Sequence, residues 1–489
     1  MNRKELLTFL LACFIKMAVA ITMLFSHQGG KAGIAGLFAI IGGDTFSYID
    51  PVENLFHHGI YAQDIARVET YAGRMPGYGI VYAALRTVAQ PGTAADGVVI
   101  LQLLLSLVSI YCLARLAQFV TKRPEAFYWA ALLYALNTYS TWFDIKLLTE
   151  SFATSAVIIG IYTLCHAHYR KSNALFLCAG LSLAWMVFLR PFLAPLFALI
   201  AGIYILRELM TNGRAANYFR QTVFRGSLLV LPFIIADGAW ITRNWAWYHR
   251  AVPLQVDAWA GYKTAPGLKE LTSFIGTIGE EPVWWYQPSD MAWFYKPESD
   301  HGANFQGEQS KFAPPAYTYD SLVLVRHNLV LAKDTTAPIA ARQVAGAKAA
   351  QSLVAYESAY RKLRPGYAFF VVPAKLAYRL TLAHGSDYLF QQPFAELTIL
   401  KKVTKIFFHV WYFLVVGLGL VGLLAVGWKT DFETLVVKLS PIYIIVLLCI
   451  ILHQVESRYF AFAYPFVVIN CILIILKVYD YGKSKFRIS

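Results

Sequence analysis

The segment GGDTFSYIDPVENLFHHGIYAQDIARVETYAGRMPGYG, residues 42–79, is a polar interruption in a chain that is otherwise apolar enough to live in lipid. It follows the first hydrophobic run and carries acids, an arginine, aromatics and paired glycines. A polar, aromatic-rich loop held by a membrane-buried scaffold is where chemistry is expected, because rigid elements fix such loops while leaving their side chains available. Asp50-Pro51-Val52-Glu53 reads as a helix start, with Asp50 as cap, Pro51 at the first helical position and Glu53 completing a capping box. Gly59 ends that helix. Phe46, Ile49, Val52 and Phe56 fall near one face, which predicts a helix lying along the membrane surface. Asp44 has no such employment and is free to point into a cleft.

Working outward, the 489 residues are 57% hydrophobic and only 15% charged, against about a quarter charged in a soluble protein. Mean hydropathy is +0.49. Repeated apolar runs of about 20 residues predict an all-α polytopic membrane protein of about ten transmembrane helices. The expected spans are 6–25, 97–119, 125–141, 149–168, 173–189, 191–207, 224–241, 404–427, 435–453 and 458–477. The N-terminal run lacks a small-residue cleavage site and reads as a retained helix. A net charge of +14 could suggest nucleic acid. The basic residues sit in short loops between apolar runs, so topology control and membrane lipid contact are expected and nucleic acid is not. The six cysteines lie in or beside apolar runs and read as core packing.

Arg3/Lys4, Lys122/Arg123, Arg170/Lys171, Arg207 through Arg225 and Lys483/Lys485/Arg487 all fall on one side of the predicted spans. The positive-inside rule makes that side cytoplasmic. Three regions follow: a transmembrane core 1–241 whose first outer loop is 26–96, an extracytoplasmic subdomain 242–402 with an interfacial helix, and C-terminal transmembrane helices with a tail, 403–489. The middle region carries Trp259, Trp284, Trp285 and Trp293, then an Ala-rich helical run from about Ala337 to Leu363. An amphipathic helix is expected from Phe369 to Leu382, with Lys375 and Arg379 on its polar side. With sides assigned from hydropathy and basic residues alone, Asp44, Arg74, Glu150, Arg190, Arg243, Glu456 and Arg458 all fall on the outer face. Lys16 stands mid-span in the first helix, where a charge is costly and requires a partner inside the bundle.

Gly43-Asp44-Thr45-Phe46-Ser47-Tyr48, then Asn54-Leu55, Gly59, Tyr61 and Arg74-Met75-Pro76-Gly77-Tyr78, resemble the first outer loop of GT-C superfamily glycosyltransferases. The likeness is to the bacterial branch akin to protein mannosyltransferases and the lipid A aminoarabinose transferase. A Leu148-Thr149-Glu150 turn, the Arg190-Pro191 hairpin, Arg243-Asn244 and Glu456-Ser457-Arg458-Tyr459 extend it over most of the chain. The resemblance implies Asp44 as general base and Arg74 as a grip on a lipid-phosphate donor. Two positions depart from it: Thr45 stands where many relatives have a second acid, and Gly79 where many have proline. Thr45 argues against a metal held by an acidic pair, so no metal ligands are assigned and a divalent cation is only an option.

The chemistry expected is displacement at a sugar's anomeric carbon, with inversion. The departing lipid phosphate gains a second negative charge, and cations stabilise that charge more than the ground state. Arginine suits phosphate because its planar fork stays charged and binds bidentately. The residues expected to act are Asp44 and Glu150 in catalysis, Arg74, Arg190, Arg243, Arg458 and Lys375 on the donor phosphate, and Tyr48, Tyr78 and Glu456 against substrate. The partners expected are a polyprenyl-phosphate-linked sugar, a glycan, glycolipid or protein acceptor, and membrane lipids. The location expected is a bacterial inner membrane with the site facing out. A transporter or flippase of lipid-linked sugars is the first alternative, and would place ionisable groups near the midplane, often in inverted repeats. A glycan polymerase or ligase using lipid-diphosphate donors is the second.

Overall fold

The computed structural model describes residues 1–27, 36, 38–211, 216–255, 267–280, 293–294, 312–334, 336–383, 385, 388–390, 392–426 and 428–486. Among them the chain is helical, and β-structure is limited to two isolated bridges, Ile40 with Lys146 and Ala313 with Tyr317. It divides into two compact units: 1–258 with 384–443 and 458–489, and 259–383 with 444–457.

The first unit opens with α1 (Arg3–Ser26), α2 (Thr45–His58), α3 (Pro76–Arg86), α4 (Pro91–Thr121), α5 (Glu125–Ala135) and α6 (Thr138–Asp144). It continues through α7 (Glu150–Arg170), α8 (Asn173–Leu189), α9 (Ala194–Thr211) and α10 (Ala216–Tyr248). Among the described residues of the whole chain, seven helices are long and apolar enough to cross a membrane. The count falls short of ten for physical reasons. The expected span 125–141 is broken at Leu136-Asn137, where Asn137 leaves helical geometry and its Oδ1 accepts the Tyr139 amide at 2.9 Å, starting α6. The expected span 149–168 is a single helix, α7, that opens on an acid and closes on His168 and Arg170. The helix α8 is apolar but has only 17 residues.

Close helix approach rests on small residues, as lipid-embedded bundles require. A Cβ at Gly422, in the helix Ile399–Ala425, would lie 2.1 Å from the carbonyl oxygen of Asn470 in the helix Tyr464–Phe486. Lys16 has its partner. Its Nζ lies 2.7 Å from Asp144 Oδ2 and donates to Ser140 Oγ at 3.1 Å, with both charged side chains buried. Asp144 also accepts from Ser106 (2.9 Å) and Ser151 (2.6 Å). A buried ion pair holds only when its remaining lone pairs are satisfied in this way.

The loop helix α2 departs from expectation. It starts at Thr45, not at Asp50, and Pro51 lies inside it. The reason is tertiary: Thr45 Oγ1 accepts the Gly42 amide at 2.8 Å and donates to the Leu147 carbonyl at 2.9 Å, so the chain is fixed before Asp50 is reached. Gly59 does terminate the helix, in the left-handed region at φ 71°. The expected apolar face is divided, because Ile49 and Val52 are buried while Phe46 and Phe56 are exposed.

The second unit has its own core, built on Leu271, Phe274, Trp293, Phe294, Tyr317 and Leu353. The expected Ala-rich run is the helix Ile339–Leu363. The expected amphipathic helix is a π turn, Tyr367–Val371, leading into Val372–Thr381, with Phe369, Phe370 and Tyr378 exposed. Trp259, Trp284 and Trp285 lie outside the described residues.

Candidate active site

Two strands of chain meet at the site. Ile40 bridges Lys146, the Leu147 amide donates to the Ile40 carbonyl at 3.0 Å, and Thr45 is fastened to Leu147 as described. Beneath them Gln102 Nε2, from α4, donates to the Asp144 carbonyl at 3.0 Å and the Lys146 carbonyl at 2.7 Å. The first outer loop is thereby locked to the turn that starts α7. That lock sets Asp44 beside Glu150.

Asp44 stands at the N-cap position of α2, yet its carboxylate makes no capping bond. Oδ2 accepts instead from Arg458 Nη1 at 2.6 Å. Arg458 lies in the short 3₁₀ segment Ser457–Phe462 that leads into the last helix. Its Nε lies 3.6 Å from Glu150 Oε1, and Glu150 is fully buried in an ion pair with Arg190. Arg190 ends α8 in an extended conformation just before Pro191, which aims its side chain back across the start of α7. Burial pushes the Asp44 pKa up, but Arg458, Arg74 and Arg190 outweigh it and hold the carboxyl below its ordinary value.

Arg74 follows the loop's short 3₁₀ turn Val68–Thr70 and precedes α3, with its guanidinium carbon 4.6 Å from the Tyr48 ring centre. Arg190 approaches the same ring at 5.9 Å and Tyr459 at 5.6 Å. Aromatic faces stabilise guanidinium groups while leaving their edge donors available. Four buried polar atoms here have no hydrogen-bond partner among the described residues: Tyr48 OH, Arg74 Nε, Glu150 Oε2 and Arg190 Nε. Buried polar atoms are usually hydrogen-bonded, so these four can receive water or a ligand. Tyr78 packs its ring 5.5 Å from Tyr48 and donates to Gln102 Oε1 at 3.3 Å. It is buried. Gly77 beside it allows α3 to meet α8, since a Cβ there would lie 2.5 Å from the Phe188 carbonyl oxygen.

The remaining candidates are placed elsewhere. Arg243, near the end of α10, donates to the carbonyls of Tyr61 and Tyr71 and stacks 4.9 Å over Trp240. It pins the first outer loop on both sides. Lys375 belongs to the second unit, where Nζ pairs with Glu280 at 3.4 Å. Glu456 is half-buried in that same unit. Sequence reasoning passed over two residues, Asp144 and Lys146. The spacing of Lys146 four residues ahead of Glu150 was the available signal. Among the described residues no group of three His, Cys, Asp or Glu side chains is placed to hold a metal ion.

Arg243 gives a test. Arg243→Met removes two loop carbonyl contacts without touching the Asp44 cluster, so the loop loosens. The expected result is faster proteolysis within residues 60–75, with thermal stability lower by about 1–3 kcal/mol. Unchanged proteolysis would show that the loop is held by other contacts.

One family model matches part of the chain. The match covers residues 70–257, and the family is the Alg9-like mannosyltransferase family. Comparison with curated proteins finds no match. Two solved structures from Archaeoglobus fulgidus are similar. One is the archaeal oligosaccharyltransferase AglB in complex with an inhibitory peptide and a dolichol-phosphate, at 12% identity and TM-score 0.48, covering 98% of this chain and 51% of that one. The other is the oligosaccharyltransferase tethered to an acceptor peptide, at 13% identity and TM-score 0.46, covering 98% and 50%. The chain spans about half the length of both structures.

Proposed function

We propose that the protein is an inverting glycosyltransferase that moves a monosaccharide from a polyprenyl-phosphate donor to a glycan, glycolipid or protein acceptor at the outer face of a bacterial inner membrane. One observation carries the reading: Arg74, Arg190 and Arg458 gather around Asp44 and Glu150, and among the described residues buried donors on Arg74 and Arg190 have no hydrogen-bond partner. Gathered guanidinium groups and open donors suit an anionic phosphate.

In this reading Arg74 and Arg458 bind the phosphate, and Tyr48 supports Arg74. The acceptor oxygen attacks the anomeric carbon, the sugar–phosphate bond breaks towards phosphate oxygen, and Asp44 takes the acceptor's proton. Glu150 holds Arg190 and steers Arg458, so its contribution is to arrange cations. Arg243 keeps the loop in place. The mid-span lysine on which a transporter reading would draw is already paired with Asp144.

The test is purified full-length protein in lipid nanodiscs or vesicles, given labelled polyprenyl-phosphate sugars that include mannose, the sugar named by the matched family. Transfer from a monophosphate donor supports the proposal. Movement of labelled lipid across vesicles without transfer replaces it with a flippase, and transfer from lipid-diphosphate glycans alone replaces it with a polymerase or ligase.

A further inference from the structure

The helix Ile399–Ala425 has 27 residues and is about 40 Å long at 1.5 Å per residue, more than a hydrocarbon layer of about 30 Å needs. At its far end Leu424 and Trp428 are exposed, as residues facing lipid and its interface are. Counting back about 30 Å from Ala425 reaches Lys405. Lys401 and Lys402 then stand in the headgroup layer.

Packing fixes the side of the membrane. Tyr412 stacks on Tyr464, at 5.8 Å and 3° between planes. Further along, a Cβ at Gly419 would lie 2.4 Å from the Val467 carbonyl oxygen, as Gly422 faces Asn470. The helices Ile399–Ala425 and Tyr464–Phe486 therefore run in parallel. Arg458 leads into the second of them, so the lysines lie on the side from which Arg458 comes. Along the helix, Lys405 is about 10 Å beyond Tyr412 and Lys401 about 16 Å beyond it.

The three lysines lack counter-charges. Lys401 Nζ donates to Gln392 Oε1 at 3.5 Å and stands 5.7 Å from the Phe390 ring centre. Lys402 Nζ stands 5.7 Å from the ring centre of Phe394. Among the described residues none of the three forms an ion pair, and Glu396, the nearest acid in the sequence, is exposed and holds none of them. Lys401 and Lys405 are four residues apart and Lys402 and Lys405 three, spacings at which like charges repel on a helix. An anion between them relieves that repulsion. Ile406 and Phe413 follow Lys402 on one helix face and are 52% and 48% exposed.

We propose that Lys401, Lys402 and Lys405 bind the phosphate of an anionic phospholipid in the leaflet on the Arg458 side, with an acyl chain against Ile406 and Phe413. Charge and depth match this occupant. Its phosphate already lies in the headgroup layer, and the site is at the lipid-exposed edge of the protein, apart from the buried Glu150–Arg190 pair. The site is independent of the sugar-transfer reading.

The test uses purified full-length protein in detergent, titrated with phosphatidylglycerol or with phosphatidylcholine of the same acyl chains. Bound lipid is counted by native mass spectrometry. A basic residue at an anionic headgroup is worth about a fivefold gain in affinity. Wild type is therefore expected to prefer phosphatidylglycerol by about tenfold or more. The triple change Lys401→Gln, Lys402→Gln, Lys405→Gln should bring the two lipids within about twofold of each other and leave phosphatidylcholine binding as it was. The triple change to arginine should keep the preference. Wild type without a preference, or a glutamine variant that retains it, overturns the proposal. Loss confined to farnesyl phosphate, with phosphatidylglycerol binding intact, overturns it in favour of a lipid monophosphate ligand. Far-UV circular dichroism checks that the triple variant is folded. If it is not, Lys402→Gln alone decides: a loss of phosphatidylglycerol affinity of about fivefold supports the site, and no loss overturns it.

Discussion

Asp44→Asn is expected to lower kcat for sugar transfer by about 10²–10⁴-fold, the usual contribution of a positioned general base. Asn preserves size and leaves an oxygen for Arg458, so the cluster keeps its shape. The substitution also removes a negative charge from among three arginines, so affinity for a polyprenyl phosphate should be unchanged or higher. That combination, lost turnover with retained binding, separates a base from a structural carboxylate. A mutant within twofold of wild type would remove Asp44 from the chemistry. The pH dependence follows from Arg458 at 2.6 Å. Asp44 works as a carboxylate and its pKa lies below the ordinary value, so activity persists as pH falls and is lost only through that lowered pKa. Arg458→Gln withdraws a cation and should move the acid limb of kcat/KM upward.

The second large effect is on stability. Lys16→Met leaves the buried Asp144 without its counter-charge, and removing one partner of a buried pair costs about 3–5 kcal/mol. The double change Lys16→Met with Asp144→Asn replaces the pair by uncharged groups, and Ser106 and Ser151 can still bond the amide. It should recover more than half of the loss in a denaturant or thermal titration in detergent. A single mutant as stable as wild type would show that water reaches Asp144.

The membrane class, the α8 and Ile339–Leu363 helices and the Gly59 stop are all legible in the sequence, because apolar runs and glycine conformation act locally. The start of α2 is not, because a hydroxyl–carbonyl bond between Thr45 and Leu147 outweighs the Asp50-Pro51 signal. The same limit applies to the span 125–141, where the apolar run Ala126 to Leu136 does not tell that Asn137 will cap a new helix instead of continuing the old one. In the site, Asp44, Glu150, Arg190 and Arg458 could be nominated one by one from their loops. Their order, Asp44 to Arg458 to Glu150 to Arg190, is a property of three dimensions. For Arg243, no sequence signal announces that its guanidinium donates to the loop carbonyls of Tyr61 and Tyr71.

The Lys16–Asp144 pair also works as a depth gauge. From Lys16 to the end of α1 at Ser26 is about 15 Å at 1.5 Å per residue, roughly half of a 30 Å hydrocarbon layer. Asp144 is level with Lys16, and Ser151 ties the start of α7 to it. The floor beneath Glu150 therefore stands well below the end of the first helix. If the proposed lipid-phosphate donor binds at this floor, its phosphate leaves the headgroup plane and sinks along the protein, with its tail still in the leaflet. On the proposed function, bilayer thickness would then be a variable of turnover, because a thicker leaflet lengthens that descent.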